Sequence, residues 1–316
     1  MAVFLGIDTS NYTTSLALYD GDTDIMTQQK RLLPVKPGTL GLRQSDALFH
    51  HVRQLPELME MLCGEEPLTV SGIGVSVRPM EREGSYMPCF LAGEGLAREL
   101  AAVWQIPLYG LTHQQGHIAA ACFGADCTAL LDEPFLAFHV SGGTTDALLV
   151  RPRPDGGISC ELVAGSLDLK AGQLVDRVGG LLGFSFPAGP ELDKLSADSD
   201  TAFRCRPSMD GDYCHLSGVE NQCRTMLEKG AAPADVARFC LLSIEAALTA
   251  MADRLLDKYG HLPVVFAGGV MSNSLLRGQL SSRYNAHFAP PVFSADNAAG
   301  IAFLASRIAK GEKLHG

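Results

Sequence analysis

In GLTHQQGHIAAAC (Gly110–Cys122), His113 and His117 stand four residues apart within a run that is otherwise small and apolar. Residues i and i+4 of a helix share a face, so two imidazoles at this spacing can meet one cation, and Gly116 with Ala119–Ala121 leaves room around it. The competing reading makes one histidine a core residue with its hydrogen bonds met and the other a surface residue. A metal site needs a further donor, usually a carboxylate where catalysis requires an open position. SADNAAGIA (Ser294–Ala302) offers Asp296 just ahead of a small-residue helix, where its alternative role is an N-cap. Gln114 stands where a zinc protease of the HExxH type carries its glutamate. No Ser/His/Asp or Cys/His order stands out either, so proteolysis is set aside. The nine cysteines contain no CxxC pair, and Cys205, Cys214 and Cys223 are spaced too widely for a common zinc motif. They read as reduced, mostly buried thiols.

A second chemistry lies in small-residue turns. Backbone N–H groups can approach a phosphate where side chains are small or absent. Ser141-Gly142-Gly143-Thr144 is one such turn, between the apolar runs of FLAFHVSGGTTDALLV (Phe135–Val150). AGGVMSN (Ala267–Asn273) is another, and it precedes a helix-like stretch, Leu275–Leu280. A strand, a glycine turn and a helix N-terminus commonly hold a nucleotide. Asn273 can cap that helix or contact a ribose or base.

These groups need elements to hold them. Val3–Ile7 is a β-branched, apolar run ending at Asp8, and Ser15–Leu18 resumes it. This strand, turn and strand returns 131 residues later, with Ser10–Leu18 lying over Ser141–Leu149. Each copy precedes a helix and a buried strand. In the first half these are a helix from Asp46, capped by Ser45, and VSGIGVSV (Val70–Val77). In the second they are a helix over Asp235–Tyr259 and PVVFAGG (Pro263–Gly269). A helix over Ala92–Trp104 and a strand over Ile106–Leu111 complete the first half. The expectation is an α/β protein of two related lobes. Residues 1–110 form the first and residues 111–297 the second, which carries the metal and nucleotide sites; a C-terminal helix over 298–316 packs back.

No run of eighteen apolar residues occurs, and the N-terminus has neither a basic segment nor a long apolar one, so a cytoplasmic, membrane-free protein is expected. The net charge of −10 disfavours unaided nucleic-acid binding.

Taken in order, GIDTS, THQQGH, VSGGTT, AGQLVDRVGGLLGFSFPAGP, AGGVMSN and ADNAAGIA resemble the TsaD/Gcp family over nearly the whole chain. The resemblance implies two actin-like (ribonuclease H-like) lobes, with mixed sheets flanked by helices and a nucleotide cleft between them. It implies His113, His117 and Asp296 as ligands of a divalent metal, iron or zinc. Ser141, Gly142, Gly143 and Thr144 would hold the phosphate or carbamoyl end of an adenylate. Asp176, Gly189 and Asn273, with Glu191 or Asp193 nearby, would line the nucleoside pocket, and Asp8 and Ser10 would be catalytic. The implied reaction transfers a threonylcarbamoyl group from threonylcarbamoyl-AMP to N6 of adenosine 37 in tRNA. The implied partners are tRNA, an ATPase and a smaller actin-like subunit, with a homodimer as the alternative.

The chain also departs from the family pattern. Asn11 and Tyr12 open a turn whose acidic pair is gone, and Thr144 replaces a histidine. Gln173 and Arg177 replace a glutamate and a lysine, Glu220 stands where a lysine is usual, and SVRPMEREGSYMPCF (Ser76–Phe90) replaces a glycine-rich segment. These changes admit a divergent paralogue that carbamoylates another acceptor or serves as a non-catalytic partner subunit. If RNA binds, Arg78, Arg82, Arg151 and Arg153 are the first basic residues to consider.

Overall fold

The structure, a computed structural model, describes residues 2–34, 42–64, 68–294 and 296–315. Ala295, which opens ADNAAGIA, lies outside the described residues.

Two five-stranded sheets repeat one plan. In the first, β1 (Val3–Thr9) pairs antiparallel with β2 (Thr13–Asp20), which pairs antiparallel with β3 (Ile25–Leu32). On its other side β1 pairs parallel with β4 (Gly72–Arg78), and β4 with β5 (Leu108–Thr112), giving the order β3-β2-β1-β4-β5. Residues 4–9 of β1 are buried without alternation, as expected for a strand covered on both faces. Helix α1 (Gln44–Cys63) buries Ala47, His51, Leu55, Leu58 and Leu62, spaced three or four apart, and packs with α2 (Phe90–Trp104) on a core of Leu5, Ile7, Leu16, Ile73 and Val75. The N-cap of α1 is Arg43 rather than Ser45, which lies inside the first turn. Helix α3 (His113–Gly124) follows β5 directly.

In the second sheet, β6 (Phe135–Val140), β7 (Thr145–Pro152) and β8 (Ile158–Gly165) take the places of β1, β2 and β3. Three short helices follow, α4 (Ala171–Leu181), α5 (Gly189–Ser196) and α6 (Ser217–Glu228), with a small hairpin of β9 (Ser208–Asp210) and β10 (Tyr213–His215) ahead of the last. The long α7 (Pro233–Tyr259) leads into β11 (Val264–Ala267), α8 (Ser274–Arg283) and β12 (Ala286–Phe288), and the order is β12-β11-β6-β7-β8. The core here stacks Phe138 on Phe266 and Phe266 on Phe288, with ring centroids 5.1 Å apart in each pair. The short α9 (Pro291–Ser294) precedes the terminal helix α10 (Ala299–His315).

The compact units do not follow the expected boundaries at residues 110 and 297. One unit contains Met1–Glu133, Val150–Cys160 and Val292–Gly316; the other contains Pro134–Leu149 and Glu161–Pro291. The reason is α10, which packs on β1, β4 and α3 of the first unit. Glycines admit it. A Cβ on Gly6 would lie 2.4 Å from the Ala298 carbonyl oxygen, and one on Gly74 2.6 Å from that of Ile301. A Cβ on Gly300 would lie 1.9 Å from the Gly116 carbonyl oxygen. Gly116 therefore serves the contact between α3 and α10, and its own missing Cβ makes room for the Ile301 side chain.

Candidate metal centre and nucleotide turns

Helix α3 starts cleanly because Thr112 caps it. Thr112 Oγ1 accepts from Gln115 N at 3.1 Å, and Gln115 Oε1 accepts from Thr112 N at 2.7 Å, forming a reciprocal capping box. The first turn of this rigid helix holds His113, with His117 one turn on. Their Nε2 atoms lie 2.9 Å apart. Asp296 Oδ1 lies 3.2 Å from His117 Nε2 and 3.7 Å from His113 Nε2. Among the described residues this is the one group of three or more His, Cys, Asp or Glu side chains whose ligand atoms converge as a metal site requires. Four ligands at about 2.0–2.2 Å around an ion stand roughly 3.3 Å from one another, so the donor set fits a divalent cation. Cys205, Cys214 and Cys223 do not converge: Cys214 neighbours Ser166, and Cys223 neighbours Cys240.

Two further residues orient the ligands. Asp8 Oδ1 lies 2.9 Å from His113 Nδ1, so it holds a proton on Nδ1 and leaves Nε2 as the nitrogen an ion would claim by displacing its proton. Thr13 Oγ1 donates to Asp296 Oδ2 at 3.2 Å. Burial alone would lower the His113 pKa, but the charges of Asp8 and Asp296 and their hydrogen bonds prevail and hold it up at about 10. Burial would raise both carboxylates, and the histidine contacts instead keep Asp8 below, and Asp296 well below, the usual range. Asp8 is completely buried, so its place is behind His113 rather than against a substrate. Ser10 is also buried, and its hydroxyl has no hydrogen-bond partner among the described residues. No sequence signal singled out Thr13.

In the second unit the expected turn is tight: Ser141 N donates to Thr144 O at 2.7 Å, and Thr144 N to Ser141 Oγ at 3.2 Å. Gly142 and Gly143 are exposed, with open space where a Cβ would stand. The N-terminus of α4 abuts this turn, since a Cβ on Gly172 would lie 2.5 Å from Gly142 N. The second glycine turn reaches the same strand end. Gly268 adopts φ +100, and a Cβ there would lie 2.2 Å from the Val140 carbonyl oxygen. A cavity of about 230 Å³ next to it is lined by Gly189, Asp193, Ser272 and Asn273, among others. Asn273 does cap α8, its Oδ1 accepting from Leu276 N at 3.0 Å, and it lines the cavity as well. Asp193 accepts from Ser274 N and Oγ at 3.0 and 2.9 Å. Asp176 is not in the cavity wall; its Oδ1 accepts from Ala188 N at 3.0 Å and tethers the loop before Gly189. Glu191 is exposed and outside the wall.

Several departures have partners. Arg177 Nη1 donates to Glu220 Oε2 at 3.0 Å, and Arg224 Nη2 to Glu220 Oε1 at 3.4 Å, so two altered positions neutralise each other. Gln173 Oε1 accepts from Lys170 N at 3.4 Å, and Asn11 Oδ1 accepts from Gln44 Nε2 at 2.6 Å. Arg153 is paired with Glu81 and Asp155.

Two mixed sheets of matching strand order, flanked by helices, define the actin-like ATPase fold, and the solved structures agree. The chain matches full-length HypF in its phosphate- and nucleotide-bound form with a TM-score of 0.60 at 15% identity, covering 100% of this chain and 47% of that one. It matches component A of the (R)-2-hydroxyglutaryl-CoA dehydratase of Acidaminococcus fermentans with a TM-score of 0.55 at 16% identity, over 99% and 100% of the two chains. It matches a ROK family glucokinase from Streptomyces griseus with a TM-score of 0.52 at 14% identity, over 96% and 99%. The chain thus spans about half the length of the HypF structure. Within this fold the chain belongs to the TsaD family, whose model, described as tRNA N6-adenosine threonylcarbamoyltransferase, matches residues 35–303. No helix among the described residues is long and apolar enough to cross a membrane.

Proposed function

We propose that the chain is a metal-dependent transferase that moves a threonylcarbamoyl group from threonylcarbamoyl-AMP to N6 of adenosine 37 in tRNA. Family membership supports this reading. The observation that carries it is the convergence of His113, His117 and Asp296 with Asp8 behind the first histidine. A divalent ion held there, iron or zinc, supplies Lewis acidity toward the mixed anhydride of the donor. Asp8 keeps the His113 Nδ1 proton in place, and Thr13 fixes the Asp296 carboxylate. In the other unit, the open turn at Gly142-Gly143 offers backbone donors to the phosphate, and the cavity at Gly189, Asp193 and Asn273 takes the nucleoside. The amine of adenosine is a poor nucleophile, so positioning contributes as much as activation.

With its net charge of −10 the chain needs help to hold RNA, and a smaller actin-like subunit or a second copy supplies it. Phe49, Val52 and Met61 on α1 present exposed apolar side chains to such a partner. A second reading rests on Glu220, which stands where a lysine is usual in the family and neutralises Arg177 and Arg224. It makes the chain a paralogue that carbamoylates another acceptor or serves as a non-catalytic subunit.

The test is a transfer assay with threonylcarbamoyl-AMP and unmodified tRNA, with and without partner subunits, followed by nucleoside mass spectrometry. Modified adenosine that disappears with His113→Ala supports the first reading. Metal-dependent adenylate binding without product supports the second.

A further inference from the structure

The segment that replaces the family's glycine-rich stretch turns back onto the metal helix. Pro79 O accepts from Gln114 N at 3.0 Å, meeting one of the four N–H groups that a helix start leaves without an internal partner. Glu81 Oε1 accepts from Gln115 Nε2 at 3.0 Å, and the same nitrogen donates to Ile158 O at 2.6 Å. Both amide hydrogens of Gln115 are thereby engaged, and its oxygen takes Thr112 N. Glu81 is itself held by Cys160 N at 3.2 Å and Arg153 Nη1 at 3.3 Å. Gln115 is 3% exposed, so no water competes for these bonds.

Gln115 lies midway in sequence between His113 and His117. At about 100° per residue it projects roughly opposite both histidines. An imidazole Nε2 stands about 7 Å from the helix axis, so a rotation of about 10° moves it by about 1 Å. The site tolerates little of that, because its ligand atoms already stand 2.9–3.7 Å apart. We infer that Glu81 is a positioning residue for the metal centre: through Gln115 it fixes the rotation of α3 and so the aim of His113 and His117. The inference rests on the reading of His113, His117 and Asp296 as ligands.

The experiment titrates cobalt(II) into the metal-stripped full chain and follows both affinity and the d–d absorption bands, with thermal melting in parallel. Wild type gives the bands of a nitrogen- and oxygen-ligated ion. Glu81→Ala is expected to bind about 10–100-fold more weakly with displaced bands, the usual effect of removing a group behind the ligands. Glu81→Gln, which keeps an acceptor for Gln115, returns most of the affinity and the original bands. Gln115→Met removes the link at similar volume and serves if Glu81→Ala does not fold; its loss is at least that of Glu81→Ala, because the bonds to Thr112 N and Ile158 O go as well. A lower melting temperature with unchanged bands and affinity in both Glu81→Ala and Gln115→Met overturns the inference and leaves Glu81 a tether of its loop. Absence of cobalt bands in wild type refutes the metal site itself, and the positioning role falls with it.

Discussion

Gly300→Ala tests how the metal centre is assembled. The added methyl carbon would stand 1.9 Å from Gly116 O and 2.5 Å from Ala120 N, both backbone atoms of α3. An ordinary carbon–oxygen contact needs about 3.3 Å, so the helices must part by about 1.4 Å. Helix α10 cannot retreat toward the sheet, where Gly6 and Gly74 already bring it within 2.4 and 2.6 Å of their absent Cβ positions. The movement therefore falls on α3, and the 3.2 Å between His117 Nε2 and Asp296 Oδ1 opens beyond 4 Å. Overpacking of this kind costs about 1–3 kcal/mol, offset in part by up to about 1 kcal/mol from replacing a helical glycine. Metal affinity should fall by about 100-fold or more, since a displacement near 1 Å is decisive in such a site. Gly116→Ala closely meets the Ile301 side chain, at 2.7 Å, rather than backbone, so its effect should be smaller. Cobalt titration and thermal melts of the two variants measure both effects. Wild-type affinity in Gly300→Ala, or the reverse order of severity, would refute the reasoning.

Other perturbations have equally definite outcomes. Asp8→Asn keeps an acceptor but removes the charge behind His113, and cobalt affinity should fall roughly 10-fold; an unchanged titration would show that Asp8 does not orient the ligand. Asn273→Asp keeps the oxygen that caps α8, so melting should hold while adenine-nucleotide binding weakens; Asn273→Ala should also lose about 1 kcal/mol of stability. Buried His51 accepts or donates at Thr14 Oγ1, 2.8 Å away, and burial holds its pKa down to about 4. The unfolded value is about 6.5, so the unfolded chain binds the extra proton between those values. Stability is complete above about pH 6.5 and declines toward pH 4, by an amount on the order of 3 kcal/mol. Urea midpoints between about pH 7.5 and about pH 5 should fall less steeply in His51→Gln than in wild type, and parallel slopes would exclude His51 as the source.

Much of the fold was legible because hydrophobic periodicity and the repeated hairpin are local signals. The Asp235–Tyr259 helix, PVVFAGG and the duplication at Ser10 and Ser141 needed only neighbouring residues. The histidine pair was legible for the same reason, as a fixed spacing on one helix. What escaped depends on residues far apart in the chain. Thr13 bonds Asp296 across 283 residues, and Glu81 reaches Gln115 across 34. Gly116 looked like space for an ion, yet its partner is Ile301. Asp176 looked like a pocket carboxylate because its motif borders the pocket, while a backbone amide twelve residues on claims its oxygen. Nor could spacing show that α3 belongs with the first unit, since α10 decides that.

The place of α10 also bears on synthesis. The first sheet and α3 are complete by Gly124, but the helix that packs on β1, β4 and α3 begins at Ala299. A chain emerging from the ribosome therefore carries an uncovered apolar face on its first sheet while the whole second unit is made, a stretch in which such surfaces invite aggregation. Asp296 arrives only with that closing helix. A divalent ion held by all three residues would have to wait for Asp296, which follows His117 in the chain by 179 residues.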